Sequence, residues 1–375
     1  MTLCGLKIHT GTRGVFSYIN SENGDLGEIK HQNQMLMRTR LGLSLAASVV
    51  GAVHMAQPAR SRSSSAVLPL ASSTQSSQRA TAVLVHGLDS SKETWAGVLA
   101  DLAAAGYPAI AYDLRGHGES PLGEPDEFGP AALASDVLAA VHAAGISRCV
   151  LVGHSMGGRI AMRAAAIEAA SAGPSTLKAV VIEDMDISPR TAPELSAEKR
   201  RDVAAWGDSD GAPGRKFASW EQCRAALLPW YDADEARVDS WRGKRVRSHP
   251  DKSWWSDINP LARRLAWEHV LASDDGTSAW RELAKRSGSG GLPFSVHLWF
   301  ADQPGSVVKE GVGEEGGIPD MSGRFPAVRV RKFSGAAHSI HNTARSEFVS
   351  ALCALVDEVS LEGAEEAAAA TQQDM

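Results

Sequence analysis

The segment Gly153-His-Ser155-Met-Gly157 has the residue types and the spacing of a nucleophilic serine. A buried apolar run, Cys149-Val-Leu-Val, precedes it, and a run of small residues follows it. A serine at such a strand-to-helix turn lies on a strained backbone with its hydroxyl exposed, and a side chain at either glycine would clash with neighbouring backbone. The pattern therefore predicts Ser155 as a nucleophile and the N–H of Met156 as a donor to a developing oxyanion.

A nucleophilic serine needs a base, and two histidines follow the last apolar run of the chain. They lie in the segment Lys332-Phe-Ser-Gly-Ala-Ala-His338-Ser-Ile-His341. His338 follows small residues that permit close approach to Ser155, and an imidazole pKa near ~6.5 suits a base at neutral pH. We therefore expect His338 to be the base, and His341 to pack or hydrogen-bond beside it.

The elements that would position these residues alternate along the chain. Apolar runs typical of strands cover residues 80–86, 108–113, 149–153, 179–182, 294–300 and 327–333. Helical patterns fill most of the intervals between them. This alternation predicts an α/β fold with a mostly parallel central sheet and helices on both faces. The nucleophile turn then lies at the carboxyl edge of the sheet, where parallel sheets bind ligands.

One long interval breaks the alternation. Residues 187–290 are polar, helical in pattern, and contain eight of the ten Trp. We interpret them as a helical cap inserted after the strand that follows the nucleophile helix, which leaves residues 79–186 and 291–362 as the core. Most of these Trp are expected to form the core of the cap, and the others to line an apolar pocket above Ser155. Residues 363–375 are expected to be a flexible tail.

Residues 1–78 are assigned to a disordered leader outside the folded domain. The interval 30–88 contains no Asp or Glu, and an apolar run at 41–53 follows Arg38 and Arg40. This composition is typical of a targeting segment. We expect an organellar destination, a mitochondrion or a plastid. The alternatives are the secretory pathway and, if the leader is not a signal, the cytoplasm.

Charge and cysteine usage exclude several classes of protein. The net charge of −6 argues against a nucleic-acid partner held by a positive field. The thirteen-residue apolar run at 41–53 is too short to be a transmembrane segment. The four cysteines lack the spacing of a zinc site or a disulfide scaffold. We expect neither a metal nor an organic cofactor.

Four segments follow one another in a recognisable order. They are Val85-His86-Gly87-Leu88, Tyr112-Asp-Leu-Arg-Gly-His-Gly-Glu-Ser120, Gly153-His-Ser-Met-Gly-Gly158 and Gly335-Ala-Ala-His338. Together they resemble the α/β-hydrolase superfamily, and within it the small capped serine esterases. The resemblance covers residues 80–362. It implies that the N–H of Leu88 is the second oxyanion donor, while Ala337 departs from the family's usual glycine before the base.

The resemblance leaves the triad acid open between two regions. In most relatives the acid follows the strand that corresponds to residues 295–300, which would select Asp302. In some small esterases it follows the strand after the nucleophile helix, which here ends in Glu183-Asp184-Met-Asp186. We favour Asp184, with Asp302 as the main alternative and with Glu183 and Asp186 as further candidates. Each choice keeps the order serine, acid, histidine.

The resemblance implies cleavage of a carboxylic ester with an apolar part, through an acyl-enzyme. The same triad also serves perhydrolases, haloperoxidase-like enzymes and carbon–carbon bond hydrolases, and a ligand-binding receptor without catalysis is an alternative of another class. Epoxide and haloalkane hydrolysis are disfavoured because they need Asp where Ser155 stands. We expect His86 to have a structural role in its turn. Asp113 and Arg115 are expected to hold their loop through backbone hydrogen bonds and an ion pair.

Overall fold

The computed structural model describes residues 79–197, 199, 216–228, 235–243, 245–257, 259–308 and 316–373, and three short strands nearer the start of the chain. The chain divides into two compact units, Met1–Arg60 and Ser61–Met375. In the first unit, an antiparallel sheet has the order β1-β2-β3 and consists of β1 (His9–Thr10), β2 (Phe16–Ile19) and β3 (Leu26–Ile29). The interval predicted to be a disordered leader thus contains a small sheet, whose strands are too short to give a periodic signal. The apolar run at 41–53 lies outside the described residues, and its targeting role stays a prediction.

The second unit is built on a parallel sheet. Its described strands are β4 (Thr81–Val85), β5 (Ala109–Tyr112), β6 (Cys149–His154), β7 (Leu177–Glu183), β8 (Lys216–Phe217), β9 (Val246–Ser248), β10 (Trp254–Ser256), β11 (Ser295–Ala301) and β12 (Arg329–Phe333). Six of them form the central sheet in the order β12-β11-β7-β6-β4-β5. Every neighbouring pair in that sheet is parallel, so the predicted sheet is confirmed.

Helices cover both faces of this sheet. The described helices are α1 (Ala96–Ala104), α2 (Pro130–Ala143), α3 (Met156–Ala170), α4 (Trp220–Leu227), α5 (Glu235–Asp239), α6 (Pro260–Ala266), α7 (Asp275–Ser289), α8 (Ile318–Arg324), α9 (Ile340–Thr343) and α10 (Arg345–Gln373). No helix in the described part of the chain has the length and apolar character needed to cross a bilayer.

The side chains of β4 show why the strands appear as unbroken apolar runs in the sequence. Val83 and Val85 pack in a cluster with side chains of α2, α3 and α7. Ala82 and Leu84 pack in a second cluster, with side chains of α1 and α10. Successive side chains of a strand point to opposite faces, so a strand buried on both faces needs apolar residues at every position. The core therefore consists of two apolar layers with the sheet between them.

The insertion between β7 and β11 is not only helical. Within it β8, β10 and β9 form an antiparallel sheet, and strands of two or three residues are too short for their alternation to be seen in the sequence. Trp220 and Trp241 lie in an apolar cluster of the insertion's own, against which Trp254 packs. Trp280, by contrast, is fully buried in the main core. Trp206 and Trp230 lie outside the described residues.

The last helix joins the two ends of the core. Ser360 on α10 accepts a hydrogen bond of 2.9 Å from the backbone N–H of Ala80, directly before β4. The helix continues to Gln373, past residue 362, where the core is expected to end. Residues 363–373 are rich in Ala and Glu, whose high helix propensity explains why this segment is helical where a flexible tail was expected.

Candidate active site

Ser155 lies on the sharp turn between β6 and α3. Its φ of 52° and ψ of −123° are strained for a residue with a side chain, a conformation that typically costs about 1–3 kcal/mol and persists only when the surroundings impose it. A Cβ at Gly153 would lie 2.1 Å from the carbonyl oxygen of Gly157, and a Cβ at Gly157 would lie 2.5 Å from that of His86. Both flanking glycines are therefore required by close backbone approach. The N–H of Ser155 donates to the carbonyl of Glu183 at 2.9 Å, which ties the turn to the end of β7.

Asp184 and His338 are brought together by this geometry. The distance between Nδ1 of His338 and Oδ2 of Asp184 is 2.6 Å. The Asp184 side chain is completely buried, while 31% of the His338 side chain is exposed. Three further donors hold the carboxylate: the N–H of Ala301 at 3.1 Å, the hydroxyl of Ser306 at 2.7 Å and the N–H of Val307 at 3.0 Å. A buried carboxylate with four donors has one fixed orientation, so it fixes the His338 ring as well.

His154 connects the His338 loop to the nucleophile turn. Its ring centroid lies 4.7 Å from that of His338, and its Nε2–H donates to the His338 carbonyl at 3.2 Å. Burial, with smaller contributions from His341 and His338, lowers the pKa of His154 well below its ordinary value. His154 is therefore neutral at pH 7. Because it directly precedes Ser155 in the chain, this contact brings the predicted nucleophile and the predicted base to one edge of the sheet.

The turn after β4 lies against Ser155. A Cβ at Gly87 would be 2.9 Å from Cβ of Ser155, so the backbone leading to Leu88 passes directly beside the serine. His86 is fully buried in this turn; its Nδ1–H donates to the Gly87 carbonyl at 2.8 Å, and its Nε2 accepts the N–H of Leu114 at 3.1 Å. Burial, reinforced by His117, lowers the pKa of His86 to about 3. The ring is neutral and braces the turn, as expected from the sequence.

The other candidate acids have different partners. Asp302 accepts the N–H of Gly335 at 2.7 Å and lies 3.4 Å from Nζ of Lys332. The Gly335 N–H is the main reason why the pKa of Asp302 is lowered. Asp186 forms ion pairs with Arg159 at 2.8 Å and with Arg190 at 2.9 Å. Neither carboxylate is hydrogen-bonded to His338.

Glu183 belongs to a second histidine–carboxylate pair. Its Oε1 lies 2.8 Å from Nδ1 of His341 and accepts the backbone N–H of His341 at 2.9 Å, and both side chains are fully buried. His154, Glu183 and His341 bring their ligand atoms within 4.8 Å of one another, which is a donor set that zinc can use. Glu183 and His341 are hydrogen-bonded to each other, and His154 is hydrogen-bonded to the His338 carbonyl, so hydrogen bonds alone explain why these three side chains lie close together.

The loop after β5 is held as the sequence predicts. Asp113 accepts the backbone N–H groups of Lys92 at 2.7 Å and of Glu119 at 3.0 Å. Burial alone would raise the pKa of Asp113, but these donors and the ammonium of Lys92 at 2.7 Å hold it below its ordinary value. Arg115 forms a two-point ion pair with Asp136, at 2.6 Å and 2.9 Å. Lys92 and Asp136 belong to no motif, and no signal in the sequence selects them.

Comparisons with known proteins agree with this fold. Residues 82–310 match the alpha/beta hydrolase family. The chain belongs to the alpha/beta hydrolase family. By that membership it is a hydrolase, and the resemblance drawn from the motifs is confirmed.

Several relatives cover most of the folded region. The chain is 27% identical to an N-formylmaleamate deformylase of Pseudomonas putida, over 69% of this chain and 81% of the relative. It is 26% identical to an sn-1-specific diacylglycerol lipase of Xenopus laevis, over 73% and 79%. It is 27% identical to an esterase of Escherichia coli, over 69% and 86%.

Solved structures of alpha/beta hydrolases share the fold at lower identity. A thioesterase domain from the curacin biosynthetic pathway has a TM-score of 0.52 at 16% identity and covers 74% of this chain and 92% of that one. An E-2-(acetamidomethylene)succinate hydrolase also has a TM-score of 0.52, at 20% identity, with 74% and 91% covered. These two likenesses concern the fold alone.

Proposed function

We propose that this chain cleaves carboxylic esters through an acyl-enzyme, with Ser155 as the nucleophile, His338 as the base and Asp184 as the acid. The observation that carries the proposal is the 2.6 Å hydrogen bond between Asp184 and His338, on a loop that packs through His154 against the strained Ser155 turn. A strained serine beside a histidine oriented by a buried carboxylate is the arrangement that nucleophilic catalysis needs.

The reaction follows from these roles. His338 takes the proton of the Ser155 hydroxyl as the oxygen attacks the ester carbonyl, and the N–H groups of Leu88 and Met156 hold the resulting oxyanion. The imidazolium returns the proton to the leaving alcohol, which leaves an acyl group on Ser155. Water, deprotonated by the same histidine, then releases the carboxylic acid. Asp184 keeps the proton of the neutral ring on Nδ1 and stabilises the imidazolium.

The substrate class is an uncharged ester with an apolar part. The named activities of the esterase and lipase relatives support ester cleavage. The Trp-rich composition of the insertion supports the apolar part.

A fluorophosphonate probe tests the nucleophile, because it reacts only with an activated serine. We expect wild type and Ser289→Ala to be labelled once, and Ser155→Ala to remain unlabelled, as read by intact mass. Ser289 is an exposed serine on α7 and serves as the matched control. Labelling that persists in Ser155→Ala would refute the assignment.

A panel of p-nitrophenyl esters of increasing acyl length tests the reaction itself. We expect turnover that rises with acyl length and then falls, and that is lost in Ser155→Ala. Labelling of Ser155 without turnover of any ester would contradict ester hydrolysis and would favour a ligand-binding role.

A further inference from the structure

Asp89, the residue after Leu88, is held on two sides by arginines of the insertion. Its Oδ2 lies 2.9 Å from Nε of Arg263, which belongs to α6. Its backbone carbonyl accepts a hydrogen bond from the guanidinium of Arg245, which directly precedes β9. Both arginines lie between β7 and β11 in the chain, far in sequence from the turn that they bind.

The backbone of Asp89 is strained where these contacts are made. Its φ is 55°, in the left-handed region that residues with a side chain rarely adopt. A conformation of this kind persists only when several contacts impose it. At Asp89 one arginine fixes the side chain and the other fixes the peptide carbonyl.

The ion pair depends on the insertion being seated on the core. The Arg263 side chain is only 7% exposed and that of Asp89 only 18%, so the pair is largely removed from solvent and separating it is costly. The same part of the insertion contacts the core again, because the carbonyl of Asp257 accepts the N–H of Gly118 at 3.3 Å. The backbone of Asp257 in turn donates to the Arg245 carbonyl at 2.8 Å.

The position of the Leu88 N–H is thus fixed from both ends of a short turn. On one side β4 and the buried His86 hold the chain, and on the other side the two arginines hold Asp89. We propose that Asp89 is a positioning residue for the Leu88 oxyanion donor, and that Arg245 and Arg263 make a complete oxyanion hole conditional on a seated insertion. This inference rests on the proposed function, since it assigns a use to the Leu88 N–H in ester cleavage.

An oxyanion donor acts on charge that develops in the transition state, so its displacement lowers kcat and leaves KM nearly unchanged. Loss of a whole donor typically costs ~10²–10³ in kcat, and we expect displacement to cost about ten- to a hundredfold. A thionoester provides the selective readout. Its sulfur accepts hydrogen bonds poorly, so its cleavage depends little on the oxyanion hole.

The experiment compares the best p-nitrophenyl ester with its thiono analogue in wild type, Asp89→Asn, Arg263→Gln and Arg263→Lys. We expect kcat/KM on the oxygen ester to fall about ten- to a hundredfold in Asp89→Asn and in Arg263→Gln, and to fall far less on the thionoester. The ratio of kcat/KM on the oxygen ester to kcat/KM on the thionoester therefore falls in both variants. The double variant Asp89→Asn/Arg263→Gln is expected to lose no more activity than either single variant, because each single change already breaks the same ion pair. Arg263→Lys, which keeps the charge, is expected to retain most of the ratio.

Arg224→Gln is the matched control within the insertion. Arg224 pairs with Asp239 at 2.5 Å and with Glu235 at 2.8 Å, inside the insertion, and its variant is expected to keep the wild-type ratio. Equal losses on both esters, or no loss, would overturn the proposal even where the variants are folded by circular dichroism. A wild-type protein that neither reacts with fluorophosphonate nor cleaves esters would instead overturn the proposed function.

Discussion

Two histidine–carboxylate pairs lie side by side in this molecule, and only one of them reaches solvent. The distance between carboxylate and imidazole is 2.6 Å for Asp184–His338 and 2.8 Å for Glu183–His341. The two acids are consecutive in the sequence, and the two histidines are three positions apart. Yet 31% of the His338 side chain is exposed, and none of the His341 side chain is.

The difference teaches that the surroundings, and not the pair itself, decide what a histidine–carboxylate pair can do. Nε2 of His341 lies 3.0 Å from the Thr94 hydroxyl and 3.0 Å from the Asn342 amide, and its ring lies 4.1 Å from that of Trp95. Such a ring has no route to a substrate, so the buried pair serves stability. In the other pair, part of the His338 side chain is open to solvent, and that is the pair to which we assign catalysis.

The largest expected effect separates the two pairs by activity. In Asp184→Asn the side-chain amide N–H would face Nδ1 of His338 and would favour the tautomer with its proton on Nε2. A protonated Nε2 can no longer accept the proton of Ser155. We expect kcat on the best ester to fall about 10⁴-fold, as for the equivalent change in other triads. Activity is measured per mole of folded protein, because the carboxylate is also a structural acceptor. Near-normal activity of this variant would contradict the assignment of the acid.

The next effect separates the two pairs by stability. His341→Ala removes the imidazole from the buried Glu183, which keeps the backbone N–H at position 341, and breaking a buried pair in this way typically costs about 3–5 kcal/mol of the free energy of unfolding. Urea unfolding measures that cost. His338→Ala is the matched variant, since its ring is partly exposed. It is expected to destabilise less and to abolish activity, and the reverse order would show that the two roles are exchanged.

A smaller effect sharpens the comparison with a third histidine, His86, which is buried with backbone partners instead of a carboxylate. Its pKa is about 3 in the folded protein, whereas an unfolded histidine titrates near 6.5. The folded state therefore binds fewer protons between these values, so the contribution of His86 to stability is complete above pH 6.5 and is lost as the pH falls toward 3. At pH 5 the loss from this group is about 2 kcal/mol. Urea unfolding at pH 7.5 and pH 5 measures it, and His86→Gln should show a weaker dependence; an equal slope would count against this account.

The smallest effect is expected at Asp302, the alternative acid. Asp302→Asn removes a charge that is bound to Gly335 and Lys332 and not to the His338 ring. We expect kcat and KM on the best ester to stay within twofold of wild type, which steady-state kinetics would test. A loss comparable to that of Asp184→Asn would reassign the acid.

Much of the fold was predictable because its central strands are buried on both faces. Such strands give continuous apolar runs, and the glycines around Ser155 have no substitute where backbones approach within van der Waals contact. The small sheet of β8, β9 and β10 could not be predicted, since its strands are too short to show a period. The extent of α10 was missed for the opposite reason: its last turns have strong helix propensity but no apolar face to mark them.

The pairing of the carboxylates shows where sequence reasoning ends at the site. The sequence favoured Asp184, but Glu183 beside it has the same charge and nearly the same length. The backbone decides between them. Glu183 is the last residue of β7, while Asp184 turns into the left-handed region with φ of 45° and points its carboxylate toward Ser306 and His338. A motif of residue types and their spacing does not specify the backbone conformation of that turn.

The hydrogen bond between Ala80 and Ser360 has a consequence for the synthesis of the protein. It joins positions 280 residues apart, and β4, the first strand of the core to leave the ribosome, lies inside the sheet and not at its edge. Domains generally fold as units once they are complete. Strands β4, β5 and β6 can pair as soon as they have left the ribosome, but the apolar face of the sheet that α10 covers stays exposed until α10 has been synthesised, and this prolongs the need of the nascent core for chaperones.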